Sequence, residues 1–188
     1  MASSLEDLLV IAEHTLTACG AAHALIGGCA RNIYAPPRST RDVDLAVSVT
    51  ETQYVLIAAS LRAQGFDRVT ETNTDPSSAV PDVALFSDAH GGRIDLLIAH
   101  TSFEERAIMR AVSVEFPAAQ LTMRVVRVED LIVYKTLAGR PRDITDVEEV
   151  VRSQRAAGIV IDWKYVEHEC AQWDALETLM QARDRAEK

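Results

Sequence analysis

Residues 24–47 read ALIGGCARNIYAPPRSTRDVDLAV and contain two apolar segments, the second of which carries Asp42 and Asp44. In a β-strand, side chains two residues apart point to the same side. This spacing therefore predicts that both carboxylates project together while Val43 and Leu45 enter the core. Two adjacent carboxylates repel each other unless a cation lies between them. Oxygen ligands of this kind suit Mg²⁺ or Mn²⁺, so the pattern predicts a metal site that serves phosphoryl transfer.

The glycine pair Gly27-Gly28 lies between the first apolar segment and a helix expected over residues 29–35. Glycine has no Cβ, which lets the backbone approach a phosphate closely, and the N–H groups at a helix start attract anions. A simpler interpretation is that the pair only closes a strand-to-helix connection, just as Asp-x-Asp alone is common at a solvated strand end. The two motifs in this order are more specific than either alone.

The composition is typical of a single compact enzyme domain. The 188 residues suffice to bury a large core, and Cys19, Cys29 and Cys170 show the spacing of neither a disulfide framework nor a zinc site. The 19 basic and 28 acidic side chains give a net charge of -9, which argues against non-specific binding of long nucleic acids. No apolar run is long enough to span a bilayer, and the first residues lack a secretory signal. We therefore expect a cytoplasmic protein with no membrane partner.

Capping motifs and apolar periodicity predict a mixed order of helices and strands. Ser3 with Glu6, and Thr50 with Gln53, form capping boxes that open the first two long helices. The C-terminal part is predicted to be helical, with glycine stops and a proline start. Beyond residues 24–47, the predicted strands are 66–69, 80–86 and 93–98, and the predicted C-terminal helices are 129–138, 141–157, 162–171 and 174–186.

A third carboxylate, Asp95, lies within the apolar strand 93–98, which is predicted to form a hairpin with residues 80–86. Burying a lone carboxylate in such a strand is costly, so a functional role would explain its presence. Asp82 on the other arm is the alternative. It follows Pro81 at a strand start, where a solvated acid needs no explanation, and we therefore favour Asp95.

Two basic groups accompany these motifs. Arg and Lys are common on solvated loops and at helix ends, so an exposed surface explains either group alone. Asp143 and Asp146 fall in the first turn of a predicted helix, where they interact favourably with its dipole. The alternative role for the basic groups is contact with a triphosphate. The groups are Arg31, Arg38 and Arg41, and Lys135, Arg140 and Arg142.

These motifs resemble the DNA-polymerase-β-type nucleotidyltransferase superfamily, whose pattern is an apolar residue, two small residues, a gap, and Asp-x-Asp between apolar residues. Here they are Ile26-Gly27-Gly28 and Asp42-Val43-Asp44-Leu45. Residues 128–143, VEDLIVYKTLAGRPRD, followed by Asp146, resemble the second block of the AbiEii/AbiGii-type toxin-like branch. The resemblance covers about residues 25–150.

The resemblance implies an α/β (α+β) fold with a polymerase-β-like core, in which a short mixed sheet is flanked by helices and followed by a helical C-terminal extension. It predicts a nucleotidyltransferase core over residues 1–126. Residues 127–188 would form a helical part packed on that core as one compact unit.

The resemblance also implies a reaction. A nucleoside monophosphate moves from an NTP to a hydroxyl acceptor, with Mg²⁺ or Mn²⁺ bound by the three acids. Asp95 would complete the metal site on the hydroxyl side and accept the hydroxyl proton. The catalytic and metal-binding residues are Asp42, Asp44 and Asp95, and the nucleotide-binding residues are Gly27, Gly28, Arg31, Arg41, Lys135, Arg140 and Asp143.

The acceptor is left open by the sequence. In the AbiEii-like branch the acceptor is tRNA for some members, which act as toxins with a cognate antitoxin partner. A small-molecule adenylyltransferase that modifies antibiotics is the alternative enzyme. A non-catalytic nucleotide-binding scaffold is the alternative without chemistry, although the presence of all the acids, Asp42, Asp44 and Asp95, argues against it.

Overall fold

The structure, a computed structural model, describes residues 4–75 and 78–187. The predicted cap at Ser3 lies outside the described residues. The cap observed at the first helix is Ser4, whose hydroxyl accepts a hydrogen bond from the Asp7 backbone while the Asp7 carboxylate accepts one from the Ser4 backbone. The predicted box of Thr50 with Gln53 is confirmed.

The described strands lie among helices in the first two thirds of the chain, and the last four elements are helices. The strands are β1 (Ala22–Leu25), β2 (Asp42–Ser48), β3 (Asp67–Thr72), β4 (Val83–Ser87), β5 (Arg93–Ile98), β6 (Val112–Phe116) and β7 (Leu121–Val125). The helices are α1 (Leu5–Ala18), α2 (Gly27–Tyr34), α3 (Glu51–Ala63), α4 (Ser102–Arg110), α5 (Val128–Ala138), α6 (Pro141–Ala156), α7 (Trp163–Ala171) and α8 (Leu176–Glu187). None of these helices is long and apolar enough to cross a membrane.

The chain divides into two compact units. The sheet unit consists of the residues up to Cys29 together with Thr40–Val125, and the helical unit consists of Ala30–Ser39 together with the residues from Val126 onward. The sequence-based division at residue 126 did not assign Ala30–Ser39 to the helical part. Helix α2 begins in the first unit and ends in the second.

The sheet unit is built on one mixed sheet with the strand order β3-β4-β5-β2-β1-β7-β6. The pairs β2–β5 and β1–β7 are parallel, and the other neighbours are antiparallel. Alternation along β2 and β5 buries Val43, Leu45, Ile94 and Leu96 completely, because every second side chain points to the same face. Helices α1, α3 and α4 contribute further buried side chains to this unit. The predicted mixed α/β class is confirmed.

The sheet contains two strands, β6 and β7, that the sequence analysis did not predict. No element was assigned between residues 99 and 127, yet this stretch forms α4, β6 and β7. Strand β6 alternates apolar and polar residues but is largely exposed, with Val112 and Glu115 at the surface. Strand β7 is held by a parallel partner that is distant in the sequence, since Leu25 pairs with Val125. Such pairing cannot be read from a local pattern.

The helical unit follows the predicted stops and starts closely. Gly139 ends α5 in a left-handed conformation with φ 64°, and Pro141 occupies the first turn of α6, as the preferences of the two residues lead one to expect. The segment Ala30–Ser39 is anchored within this unit at Tyr34. Its hydroxyl donates to the Val126 carbonyl at 2.7 Å, and its own carbonyl accepts from the Gln154 side chain at 2.7 Å.

Candidate active site

The predicted acids Asp42, Asp44 and Asp95 meet on two adjacent strands of the sheet unit. Strands β2 and β5 run parallel in a register that places Asp42 opposite Arg93 and Asp44 opposite Asp95. Because the residues are two apart on each strand, all four side chains lie on the same face. We call Asp42, Asp44 and Asp95 the acid cluster.

Arg93 is the cation that faces this cluster, and the sequence analysis did not select it. Its Nη2 lies 2.5 Å from Asp95 Oδ2, and its Nη1 lies 3.9 Å from Asp42 Oδ2. The side chains of Arg93 and Asp42 are 41% and 38% exposed, whereas that of Asp95 is 15% exposed. The cluster is therefore open to solvent at Asp42 and largely enclosed at Asp95. The spacing of Arg93 and Asp95 along one strand was the signal that could have identified it.

Asp44 is held against the start of α2. The Gly28 backbone N–H donates to Asp44 Oδ2 at 3.3 Å, and the Ile26 N–H donates to the Asp44 carbonyl at 2.9 Å. Gly27 has φ +61°, and a Cβ at this position would lie 2.0 Å from Asp44 Oδ2. A Cβ on Gly28 would lie 2.7 Å from Thr40 Oγ1. Gly27 thus makes room for a carboxylate of the acid cluster, and Gly28 makes room for Thr40, reasons that require no phosphate.

Asp95 is the acid whose protonation is most affected by its surroundings. Burial raises the pKa of its carboxyl to about 6; Arg93 opposes this shift, while the negative charges of Asp44 and Asp42 add to it. Within the described residues, its Oδ1 is buried without a hydrogen-bond partner. A carboxylate oxygen in that condition is costly, which is typical of a group that acts on a ligand.

Asp82, the alternative third acid, lies apart from the acid cluster. Its Oδ2 accepts hydrogen bonds from the Thr74 backbone and hydroxyl, both at 2.7 Å, and these hydrogen bonds lower the pKa of its carboxyl. Its carbonyl pairs with the N–H of Ile98, at the opposite end of β5 from Arg93. The strand register therefore brings Asp95, and not Asp82, beside Asp44.

The carboxylate oxygens of the acid cluster are ligands that suit a hard divalent cation. The side chains, however, do not point to one common position. In the described part of the chain, no three acidic, histidine or cysteine side chains converge as in a formed metal site. Asp95 turns toward Arg93, and Asp44 turns toward Gly28. Three carboxylates on one face with an unpartnered Oδ1 on Asp95 still supply the ligands that Mg²⁺ or Mn²⁺ prefers.

Four predicted nucleotide ligands lie in the helical unit, where two carboxylates of α6 hold Lys135. Its Nζ lies 2.7 Å from Asp143 Oδ1 and 2.9 Å from Asp146 Oδ2, and the residue is 9% exposed. Arg140 Nε lies 2.6 Å from the second oxygen of Asp143. The sequence analysis assigned Lys135 either to an exposed basic surface or to the nucleotide site, whereas its ammonium is enclosed and paired twice.

Arg31 and Arg38 bind the same helix. Arg31 is 1% exposed, and its guanidinium lies 3.3 Å from Asp146 Oδ1 and in contact with Glu149. Arg38 donates to both oxygens of Asp146, at 2.9 and 2.7 Å. Burial would raise the pKa of Asp146, but its hydrogen bonds to Arg38 and Lys135 outweigh that effect and lower it. We call this set the ion network; its members are Arg31, Arg38, Lys135, Arg140, Asp143, Asp146 and Glu149.

The predicted site residues are therefore divided between the two units. The acid cluster, the glycine pair and Arg41 belong to the sheet unit, and Arg41 is exposed directly before Asp42. Arg31, Lys135, Arg140 and Asp143 belong to the helical unit, within the ion network. The sequence motifs did not reveal that the cations of the second group pair with carboxylates of their own unit.

Solved structures share this fold. The solution structure of the antibiotic-resistance factor ANT(2'')-Ia is similar with a TM-score of 0.61 and 14% identity, over 96% of this chain and 97% of that one. A crystal structure of ANT(2")-Ia in complex with adenylyl-2"-tobramycin gives 0.59 and 15%, over 90% and 97%. The lincomycin-bound lincosamide antibiotic adenylyltransferase LnuA gives 0.54 and 13%, over 79% and 97%. At these identities the likeness shows the fold alone.

The sequence was also compared with protein sequences and with models of protein families. None of the curated protein sequences compared with this chain matches it. A family model described as "Nucleotidyltransferase of unknown function (DUF6036)" matches residues 21–187, a range that includes the glycine pair and the acid cluster.

Proposed function

Because the chain belongs to the family described as nucleotidyltransferases of unknown function, DUF6036, we propose that it transfers a nucleoside monophosphate from an NTP to a hydroxyl group, with release of pyrophosphate. The predicted nucleotidyltransferase superfamily is confirmed by this match, whereas the AbiEii/AbiGii-type branch is not. The observation that carries the proposed chemistry is the β2–β5 register, which sets Asp44 opposite Asp95 and Asp42 two residues away on the same face.

The acids have distinct tasks in this proposal. Asp42 and Asp44 hold Mg²⁺ or Mn²⁺, which when bound neutralises triphosphate charge and increases the acidity of the attacking hydroxyl. Asp95 orients that hydroxyl and accepts its proton. Its pKa of about 6 is suited to a general base near neutral pH, and its Oδ1 has no hydrogen-bond partner among the described residues.

The triphosphate contacts of the proposal come from the sheet unit. Arg41 is exposed directly before Asp42, and Gly28 lies in the first turn of α2, where backbone N–H groups favour anions. Arg31, Lys135 and Asp143 stay predictions as nucleotide ligands, but their ion pairs within the helical unit explain their presence without a nucleotide. Arg140 keeps an exposed guanidinium beyond its contact with Asp143.

The proposed acceptor is a hydroxyl of a small molecule rather than of tRNA. The acid-bearing face continues from Asp95 to the half-buried apolar residues Leu97, Leu85 and Val83, which neighbour it along β5 and across β4. A net charge of -9 provides little attraction for a phosphate backbone. An apolar surface beside the acids suits a compact organic alcohol. The proposal includes no antitoxin partner.

The test is a transfer assay with labelled NTPs, Mg²⁺, and separate acceptor panels of small alcohols, including antibiotics, and total RNA. We expect label on a small alcohol. Asp42→Asn and Asp44→Asn should each lower the rate by about 10²–10³-fold, because they remove charge that stabilises the transition state.

Asp82→Asn is the control, since Asp82 lies apart from the acid cluster and its loss should leave the rate unchanged. Undiminished transfer by Asp42→Asn or Asp44→Asn would contradict the proposed chemistry. Label that appears only on RNA would retain the chemistry and overturn the acceptor class.

A further inference from the structure

Arg93 occupies a position that the proposed chemistry leaves unexplained. It lies opposite Asp42 in the register of β2 and β5 and two residues before Asp95 on β5. One guanidinium therefore faces two of the three acids proposed to bind a divalent cation. It donates to Asp95 Oδ2 at 2.5 Å and lies 3.9 Å from Asp42 Oδ2.

A guanidinium and a divalent cation cannot use these acids independently. The Asp95 oxygen that accepts the short hydrogen bond from Arg93 is engaged by that donor and turned toward it. Two positive groups a few ångströms apart also repel each other. The absence of a convergent set of metal ligands in the described residues agrees with this arrangement, because Asp95 follows Arg93 instead of joining Asp44 at one point.

Arg93 is able to leave this position. Its side chain is 41% exposed, so that it can rotate into solvent without disturbing the packed face formed by Ile94 and Leu96. The contrast with Arg31, which is 1% exposed, is direct. A buried arginine is a fixed part of the fold, whereas an arginine on the open side of an acid cluster can be displaced from its carboxylates by another cation.

We propose that Arg93 is a positioning residue that takes the place of the divalent cation: its guanidinium holds Asp42 and Asp95 while no cation is bound and withdraws when one binds. The inference rests on the proposed function, because it assumes that the acid cluster binds Mg²⁺ or Mn²⁺. It assigns to Arg93 the prevention of carboxylate repulsion in the metal-free protein. It also makes Arg93 a competitor that sets the affinity for the ion.

The experiment is calorimetric titration of the full chain with Mn²⁺, in the absence of nucleotide. Arg93→Gln should bind Mn²⁺ roughly tenfold more tightly than the wild type, within the usual range of coupling between two ligands of one site. Without metal the same variant should melt at a lower temperature, because Asp42 and Asp95 lose the guanidinium that lies beside them.

Arg68→Gln is the matched control. Arg68 lies in the same unit, its side chain is 42% exposed, and it pairs with Glu71 at 2.7 Å, so its loss should leave Mn²⁺ affinity at the wild-type value. Asp44→Asn should abolish the binding. In addition, the Nε–H resonance of Arg93 in the wild type should move toward the position of a free arginine as Mg²⁺ is added, a measurement that needs no folded variant.

The outcomes separate the two proposals. Mn²⁺ binding by the wild type that Arg93→Gln leaves unchanged or weakens, or an Arg93 resonance that ignores Mg²⁺, would overturn the role of Arg93 while leaving the proposed function standing. Failure of the wild type to bind Mn²⁺ through Asp44 would overturn the proposed metal site itself. Tighter binding in Arg93→Gln alone supports the inference.

Discussion

The acid cluster of the sheet unit and the ion network of the helical unit use the same chemical groups in opposite balance. Asp42, Asp44 and Asp95 face one guanidinium, that of Arg93. In the ion network the carboxylates of Asp143, Asp146 and Glu149 are met by Arg31, Arg38, Lys135 and Arg140. The acid cluster therefore has an excess of negative charge, whereas the ion network has four cations for its three carboxylates.

Burial differs in the same sense as charge balance. The side chain of Asp146 is 2% exposed, whereas that of Asp42 is 38% exposed. Charges removed from water must be paired, and the buried Asp146 is paired with Arg31, Arg38 and Lys135 of its own unit. An unbalanced cluster that solvent can reach is suited to a cation from outside. Aspartates of the two motifs therefore stabilise the fold or remain available for chemistry, depending on which cations the fold places beside them.

The same substitution in both regions tests this comparison most strongly. Asp146→Asn should destabilise the protein by about 3–5 kcal/mol, because it leaves buried guanidinium and ammonium groups without their shared carboxylate. Asp44→Asn should instead affect chemistry and not folding. Urea denaturation of both variants measures this, with exposed Asp184→Asn as the control in the helical unit. Equal stability of Asp146→Asn and Asp184→Asn would contradict the structural role of the ion network.

Gly27→Ala tests whether the acid cluster is built into the backbone. The new Cβ would lie 2.0 Å from Asp44 Oδ2, at φ +61°, so we expect a loss of about 2–4 kcal/mol from backbone strain and displacement of Asp44. Gly65→Ala provides the comparison. That glycine has φ +88° and nothing within 4 Å of the new atom, so only strain of about 1–2 kcal/mol should remain. Equal losses in thermal denaturation would show that the approach of Asp44 does not require Gly27.

Lys135→Met tests whether Lys135 of the ion network stabilises the fold or binds the nucleotide. Because Lys135 is buried against Asp143 and Asp146, its loss should cost about 1–3 kcal/mol of stability, less than for Asp146 since Arg38 and Arg140 remain. The nucleotide-binding role that the resemblance implies for Lys135 would instead give weaker NTP binding with little change in melting temperature. Melting temperature and NTP affinity measured on one preparation distinguish the two roles. A variant with unchanged melting temperature and weakened NTP binding would restore the nucleotide-binding role.

Asp95→Asn gives the smallest expected effect, and it depends on pH. The folded pKa of about 6 exceeds the ordinary value of 3.8, so the folded protein holds the proton more tightly and its stability falls as pH rises between these values. Asparagine imitates the neutral acid. Without divalent cations the variant should therefore be more stable than the wild type by about 1–2 kcal/mol above pH 6, and this gain should vanish below pH 4. Melting curves across this pH range check it. A difference that does not vary with pH would refute the raised pKa.

Local patterns predicted much of the sheet and of the acid cluster. Alternation placed Asp42 and Asp44 on one face of β2 and Asp95 in β5, as observed. Gly139 and Pro141 marked the junction of α5 and α6 correctly. The local signals succeed because strand alternation and helix capping depend on neighbours within about four residues. Strands β6 and β7 were missed although both alternate apolar and polar residues, a local signal that was not used, whereas the pairing of β7 with β1 leaves no local signal.

The amino-acid order alone established which groups the protein carries and which face of each element they share. It could not establish which of these groups contact one another in the folded protein. The opposition of Asp44 and Asp95, the contact of Arg93 with two of the acids, and the enclosure of Lys135 by Asp143 and Asp146 arise only when distant segments pair. Charge interactions depend on distance through space and on access of water. A motif therefore predicts chemistry, and the fold decides whether its charges neutralise one another or remain available to a ligand.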